Sequence, residues 1–525
     1  MASLKKSILF LLLGAFILGI VGVYMAQRYV EKRLGEFLEK NTPAHMELQY
    51  QEMEVNLFQG KLRLGDISVA VFSRDSLDLN PSAELKIASL QLNGFSLWDY
   101  YFKNNVSIKE LLVDKPALST YSSNDLPKNK SLSDSNSKSF PPISVDNFNI
   151  KNGSYTEMER ESGKVLTDIE KFDLDLMKVQ TDSSIFKNKI PFQYGEVSLE
   201  VYKIFADIGN YEELQLERVS IKDKDLMFSD LNIKSKYSKQ QLSRKLVTER
   251  DYIDLKIPEI GLHQFSLEEL ESSMWIKSVK GEIKGAKVTL FRDKLVNDDL
   301  KKKPMYSKML RELPFKIDVS ELHLIDGHIE YEELVNTNVK AGKLFFDAVD
   351  ATISNLSNTY KPGEKTTISA KANFMGTAKV HLDWDFDVNN KNDAFIASGS
   401  FLNFGVEGIN SFLENNLRVQ AKGIASEIYF TISGNNSTAS TDMKMKYKNF
   451  EFVVLKKDRE GINKIITALG NLLLKKGSKS NSDGYRYGAA QTERDETKSF
   501  FNYLWINLRD ALVNTITGNG KKDRK

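Results

Sequence analysis

The chain reads as a mainly β protein with one apolar helix at its N-terminus and amphipathic helices at its C-terminal end. Three observations predict this. Residues 8–26 form an unbroken uncharged run, the next four hundred residues alternate apolar and polar side chains with period two, and helical spacing returns after residue 457.

Composition narrows the function classes. Lys and Arg number 73 against 71 Asp and Glu, and the basic residues are scattered, so there is no field to steer nucleic acid and no such partner is expected. The chain has no cysteine, which excludes disulfides, thiol nucleophiles and thiolate metal sites.

The N-terminal run, ILFLLLGAFILGIVGVYMA, is 19 residues long, close to the roughly 20 that a bilayer core asks of a helix. A cleaved leader has an apolar core of about 7 to 15 residues, so the run is expected to be an uncleaved anchor. Lys5 and Lys6 precede it, and Arg28, Lys32, Arg33 and Lys40 follow it. Charge count alone therefore does not orient it. A short basic leader before the first apolar run favours export, and long following domains translocate largely regardless of charge. The bulk of the chain is expected outside the cytoplasm.

Val30, Leu34, Phe37 and Leu38 continue at helical spacing, so the anchor and a short helix occupy 1–40, before Pro43. A first β-rich half is expected over 41–245 and a second over 246–455. Within the first, residues 119–142 are rich in Ser, Asn, Lys and Pro and read as a disordered loop. ISVDNFNIKNGSYTE, from Ile143, aligns without gaps to IDVSELHLIDGHIEY, from Ile317, with Gly153 opposite Gly327. Looser copies start at Val106, with Pro116 at the glycine position, and at Trp275, with Gly285 there. Each copy reads as a strand, a sharp turn and a returning strand, and the best pair suggests a duplicated half.

At the C-terminal end, 456–476 reads as an amphipathic helix, 477–495 as a polar linker, and 496–525 as a second amphipathic helix with a basic tail. In the last helix Phe501, Leu504, Trp505, Leu508, Leu512 and Ile516 make a stripe at spacings of three and four. Such a stripe suits a helix lying in a membrane interface, or one docked on a sheet.

No catalytic constellation emerges. His323 and His328 are five apart in a strand, which puts them on opposite faces and makes a shared metal unsuitable. Asp383, Asp385 and Asp387 read as a solvated strand face rather than a cation loop. The nucleophile-elbow, zincin and phosphate-loop motifs are absent from the sequence. We therefore expect no enzyme, no cofactor and no metal.

The most informative strand is VHLDWDFDV. Val380, Leu382, Trp384, Phe386 and Val388 share one parity, and IYFTI repeats the theme with Ile428, Phe430 and Ile432. An apolar strand face needs a cover. The early YQEMEVNLFQGKLRLGDISV, the VDKPALSTY segment, and FNIKNGSYTEMERESGKVLTDIEKFDLDLMKV with its echo LHLIDGHIEYEELVNTNVKAGKLFFDAV give the chain a resemblance to the AsmA-like family of Gram-negative envelope proteins. The resemblance implies a single-pass inner-membrane anchor and a long, twisted, groove-shaped antiparallel sheet in the periplasm. It also implies an apolar concave face concerned with phospholipid transport or outer-membrane maintenance. On that reading the eight residues just named line a lipid groove, and the partners are membrane lipids, the inner membrane, the outer membrane and envelope proteins. The alternative is an anchored, non-enzymatic scaffold that assists assembly or regulation of outer-membrane proteins through its sheet edges or C-terminal helix.

Overall fold

The computed structural model describes residues 28–518 except 37, 39, 41, 57–58, 73–79, 123–139, 271–272 and 457–482. The expected anchor at 8–26, most of the loop at 119–142, nearly all of the helix at 456–476 and the basic tail lie outside these residues. Among the described residues no helix is long and apolar enough to cross a membrane. The protein is mainly β, 59% strand and 15% helix, and its strand pairing is mostly antiparallel. Two compact units divide the chain near residues 207–224 rather than at 245/246.

In the first unit residues 28–36 are helical. Nine strands follow: β1 (Met46–Gln49), β2 (Glu52–Asn56), β3 (Lys61–Val71), β4 (Ala83–Asn93), β5 (Val106–Asp114), β6 (Ala117–Ser122), β7 (Ile143–Glu159), β8 (Val165–Thr181) and β9 (Glu196–Asp207). One short helix, α1 (Leu97–Lys103), separates β4 from β5. Strand β10 (Glu212–Lys222) has residues in both units.

The second unit continues with β11 (Asp225–Ser235), α2 (Lys239–Lys245), β12 (Tyr252–His263), β13 (Ser266–Leu270), β14 (Ser273–Lys284), β15 (Lys287–Asp293), α3 (Tyr306–Arg311), β16 (Lys316–Leu334) and β17 (Gly342–Ser357). It closes with β18 (Thr366–Phe374), β19 (Ala378–Phe386), β20 (Phe395–Gly405), α4 (Asn410–Leu417), β21 (Val419–Gly434), β22 (Thr438–Val454), β23 (Arg486–Glu493) and α5 (Phe500–Thr517). Two segments differ from expectation here. Residues 486–493, read as linker, are strand β23 beside β22, and 119–122, read as loop, belong to β6. Both are polar strands whose pairing is decided by the neighbouring strand rather than by an apolar pattern of their own.

The internal repeat is real in register but is not a set of hairpins. β7 and β16 run straight through Gly153 and Gly327, and the two short strands before each lie end to end, both parallel to the long strand. The chain does not return at these points because the residue before each glycine, Asn152 and Asp326, enters the left-handed region at φ +53° and +52° and makes a bulge. Each left-handed residue donates its backbone N–H to a carboxylate on the next strand, Asn152 to Asp173 Oδ1 (2.8 Å) and Asp326 to Asp350 Oδ1 (3.0 Å).

Between the paired short strands the positive-φ residues are Lys115 and Gly285, so the turn position is Lys115 and not Pro116. Their N–H groups donate to Lys151 O (2.7 Å) and Ile325 O (2.9 Å), and Ser154 and His328 donate to Pro116 O and Ala286 O, both at 2.8 Å. The correspondence extends further than the sequence suggested. Leu64↔Leu90 matches Phe228↔Ile260, Leu90↔Val113 matches Ile260↔Ile283, and Phe148↔Leu176 matches Leu322↔Ile353. Left-handed residues also recur in step, Asp66 with Asp230 and Lys178 with Asn355. The ladder from β3 to β8 is thus repeated as β11 to β17.

Because Asn tolerates the left-handed region and a β-branched residue does not, Asn152→Val should cost about 1–2 kcal/mol while Asn152→Gly stays close to wild type. Thermal melts of the two variants check this. Equal midpoints would mean that the bulge is not fixed by its backbone conformation.

Candidate functional site: the apolar sheet face

Apolar residues face one another across each strand boundary of the first unit. Leu62, Leu64, Ile67 and Val69 on β3 pair with Leu92, Leu90, Ile87 and Leu85 on β4. On β7, Val145, Phe148 and Ile150 pair with Val179, Leu176 and Leu174 on β8, and Leu174 and Leu176 pair in turn with Leu199 and Val197 on β9. The apolar parity slips by one near the left-handed Asp66 and Lys178, and the partner strand slips with it, so the ladder stays on a single face.

The opposite parity is polar and ion-paired. Lys151 Nζ lies 2.7 Å from Asp175, which also accepts from Asn149 Nδ2 (2.6 Å), and Arg218 holds Glu200 through two bonds of 2.8 Å. In the second unit Lys280 and Lys284 hold the Glu282 carboxyl down at about 2 by hydrogen bonding. One face is therefore committed to solvent, and the other must find an apolar neighbour.

In the first unit that neighbour is incomplete. Leu64, Ile67, Ile108, Val145, Leu176 and Val201 are buried, whereas Leu90, Leu92, Phe148, Ile150, Leu174 and Leu199 are only partly buried. The large cluster of buried apolar side chains lies wholly within residues 305–516. The ladder of β3 to β9 lies outside that cluster and is only partly buried, as is its repeat on β11 to β17 at Phe228, Ile260, Ile283, Leu322 and Ile353, and the β3 to β9 face is taken as the candidate site.

The residues singled out from the sequence lie elsewhere. Phe386, Ile428, Phe430 and Ile432 are buried in the 305–516 cluster, Val380, Leu382 and Trp384 pack against it, and Val388 is buried as well. Their cover is α5. Phe500 stacks on Trp384 at 4.7 Å between ring centroids and meets Phe395 edge-on at 5.0 Å. These eight positions therefore line a covered core rather than an open furrow, because alternation identifies an apolar face but not the later segment that covers it.

The docked side of α5 is Phe500, Tyr503, Leu504, Asn507, Ala511, Thr515 and Ile516. Of the expected stripe, Leu504 and Ile516 are buried, Leu508 and Leu512 pack partly, and Phe501 and Trp505 stay exposed. The contact face is turned by about one residue because small and polar side chains form it. Asn507 Oδ1 accepts from Thr441 Oγ1 (3.0 Å) and its Nδ2 donates to Tyr503 O (2.9 Å). Burial pushes the Tyr503 phenol up to about 12. The spacing of Asn507, Ala511 and Thr515, four apart, is the signal that could have shown this seam.

The polar candidates are satisfied locally. His328 Nδ1 lies 2.6 Å from Asp347, His323 Nε2 lies 3.0 Å from Glu321, Asp385 pairs with Lys365 and Asp383 with His381. Among the described residues no group of His, Asp and Glu is placed to hold a metal ion. No family model matches the chain, and no curated protein is significantly similar to it.

Proposed function

We propose that the protein is an AsmA-like, inner-membrane-anchored periplasmic protein that holds phospholipid acyl chains against the apolar sheet face, in lipid transport or outer-membrane maintenance. The observation that supports this reading is the partly buried apolar ladder of β3 to β9, backed by a polar, ion-paired face. Apolar surface that the fold leaves incompletely covered marks a candidate binding surface. A sheet face binds chains of varied length without needing fixed side-chain chemistry.

A photo-crosslinking residue in place of Phe148 tests the reading in membranes carrying labelled phospholipid. The expected result is lipid adducts at position 148 and none when the crosslinker replaces Ser198, on β9 among the solvent-facing residues. Protein adducts alone at position 148 would favour the scaffold reading, and no adduct at all would remove the lipid-holding role. A reporter active only after export, fused near residue 60, tests the placement of the chain.

A further inference from the structure

The two repeated ladders differ in the element that follows β4 and β12. After β12 the chain passes Gln264, at φ +54°, and forms β13, whose sequence SLEEL pairs with β14 and ties Glu268 to Lys277 (3.0 Å). After β4 it passes Gly94, at φ +70°, and forms α1, whose sequence is LWDYYFK. The frames match on entry, since Phe95 N donates to Gly60 O and Phe265 N to Lys224 O. What differs is the element that follows.

Helix α1 is built locally and firmly. Ser96 Oγ accepts from Asp99 N (3.1 Å), Asn104 closes the helix in the left-handed region, and Lys103 pairs with Asp99 at 2.7 Å. Trp98 and Phe102 touch at 4.2 Å between centroids, and Tyr100 packs towards Phe95 at 6.0 Å. Yet Trp98, Tyr101 and Phe102, spaced at i, i+3 and i+4, are 65%, 74% and 70% exposed. A capped, ion-paired turn of helix thus presents three aromatic rings to the outside on one side.

The chemistry around the rings selects their environment. Exposed lysines stand at the two ends of the helix: Lys103 in its last turn, Lys61 next to Gly60, whose carbonyl accepts from Phe95 N, and Lys109, whose side chain lies against Gly94, 2.7 Å from where a Cβ would stand there. Trp and Tyr rings, apolar in body and polar at the tip, with a fringe of lysine, match the boundary between phosphate headgroups and acyl chains. The same unit contains the point where the chain emerges from residues 1–27, which hold the apolar run.

We propose that α1 is a second membrane contact, seating Trp98, Tyr101 and Phe102 in the interface of an anionic bilayer and holding the start of the lipid-binding ladder at the membrane surface. This rests on the membrane-anchor reading, and the test separates the two. The full chain is reconstituted in nanodiscs of phosphatidylcholine and phosphatidylglycerol carrying lipids spin-labelled near the headgroup. Co-elution with the discs reports the anchor, and loss of tryptophan emission to the spin label reports contact.

The expected result is a quenched, blue-shifted component that disappears in Trp98→Phe. It should weaken in Lys61→Glu/Lys109→Glu on anionic discs only. A chain that does not co-elute removes the anchor and this proposal with it. Co-elution with identical quenching in wild type and Trp98→Phe removes this proposal alone.

Discussion

Gly488→Val is expected to lift α5 from the sheet and to lower the unfolding midpoint of the second unit by several degrees. A Cβ on Gly488 would stand 2.1 Å from Thr515 Oγ1, 2.7 Å from Ala511 O and 2.8 Å from Thr515 N. Two of those atoms are helix backbone, so rotating a side chain cannot relieve the clash and the helix itself must move. Overpacking of this kind costs about 1–3 kcal/mol and occasionally more, and here the upper end applies because Ala511 and Thr515 are fully buried. Gly405→Ala is the control, since its only neighbour would be Glu407 Oε2 at 4.0 Å. Thermal melts followed by near-UV circular dichroism, which senses the Trp384–Phe500 stack, read both variants. A Gly488→Val melt that overlays wild type would mean that α5 is not held at this seam.

How the structure was legible from the sequence follows from what alternation can encode. Period two marked the strands and their apolar parity, and the matched glycines at 153 and 327 marked a duplication. Neither says whether a chain turns or bulges, because glycine serves both. The deciding groups are the left-handed Asn152 and Asp326 and the carboxylates of Asp173 and Asp350, which lie on a neighbouring strand and become visible only once the strands are paired. The match of β3 and β4 to β11 and β12 was hidden because the connecting segments differ in length.

The candidate site divides in the same way. An apolar face at Val380 to Val388 needs a cover, and part of that cover is the chain's own α5. The apolar face left only partly buried lies earlier in the chain, on β3 to β9 and again on β11 to β17, and its side chains are no more apolar. What separates the two faces is a helix more than a hundred residues after β19, held by a seam of Gly488, Asn507, Ala511 and Thr515 that carries little hydrophobic signal.

Glu249→Ala should unseat the same helix from its N-terminal side, with a pH signature of its own. The Glu249 carboxylate is buried and accepts from Lys294 Nζ (2.7 Å) and Lys498 Nζ (3.0 Å), and Lys498 immediately precedes Ser499, the residue that caps α5. Burial pushes this carboxyl up, but the hydrogen bonds from Lys294 and Lys498 outweigh it, so its pKa in the folded protein falls below the ordinary 4.5. A depressed carboxyl stabilises the fold above its unfolded pKa and loses that contribution as pH falls through the folded value. Removing one partner of a buried pair costs about 3 kcal/mol or more, so the variant should unfold at distinctly lower denaturant at neutral pH. The gap to wild type should hold steady down to about pH 5 and narrow below it. A gap that widens on acidification would contradict the assignment of the carboxylate as the charged partner. Since Gly488→Val and Glu249→Ala act through one helix, their combined loss should fall short of the sum. Full additivity would instead place Glu249 in an independent contact and leave Lys498 without a part in docking α5.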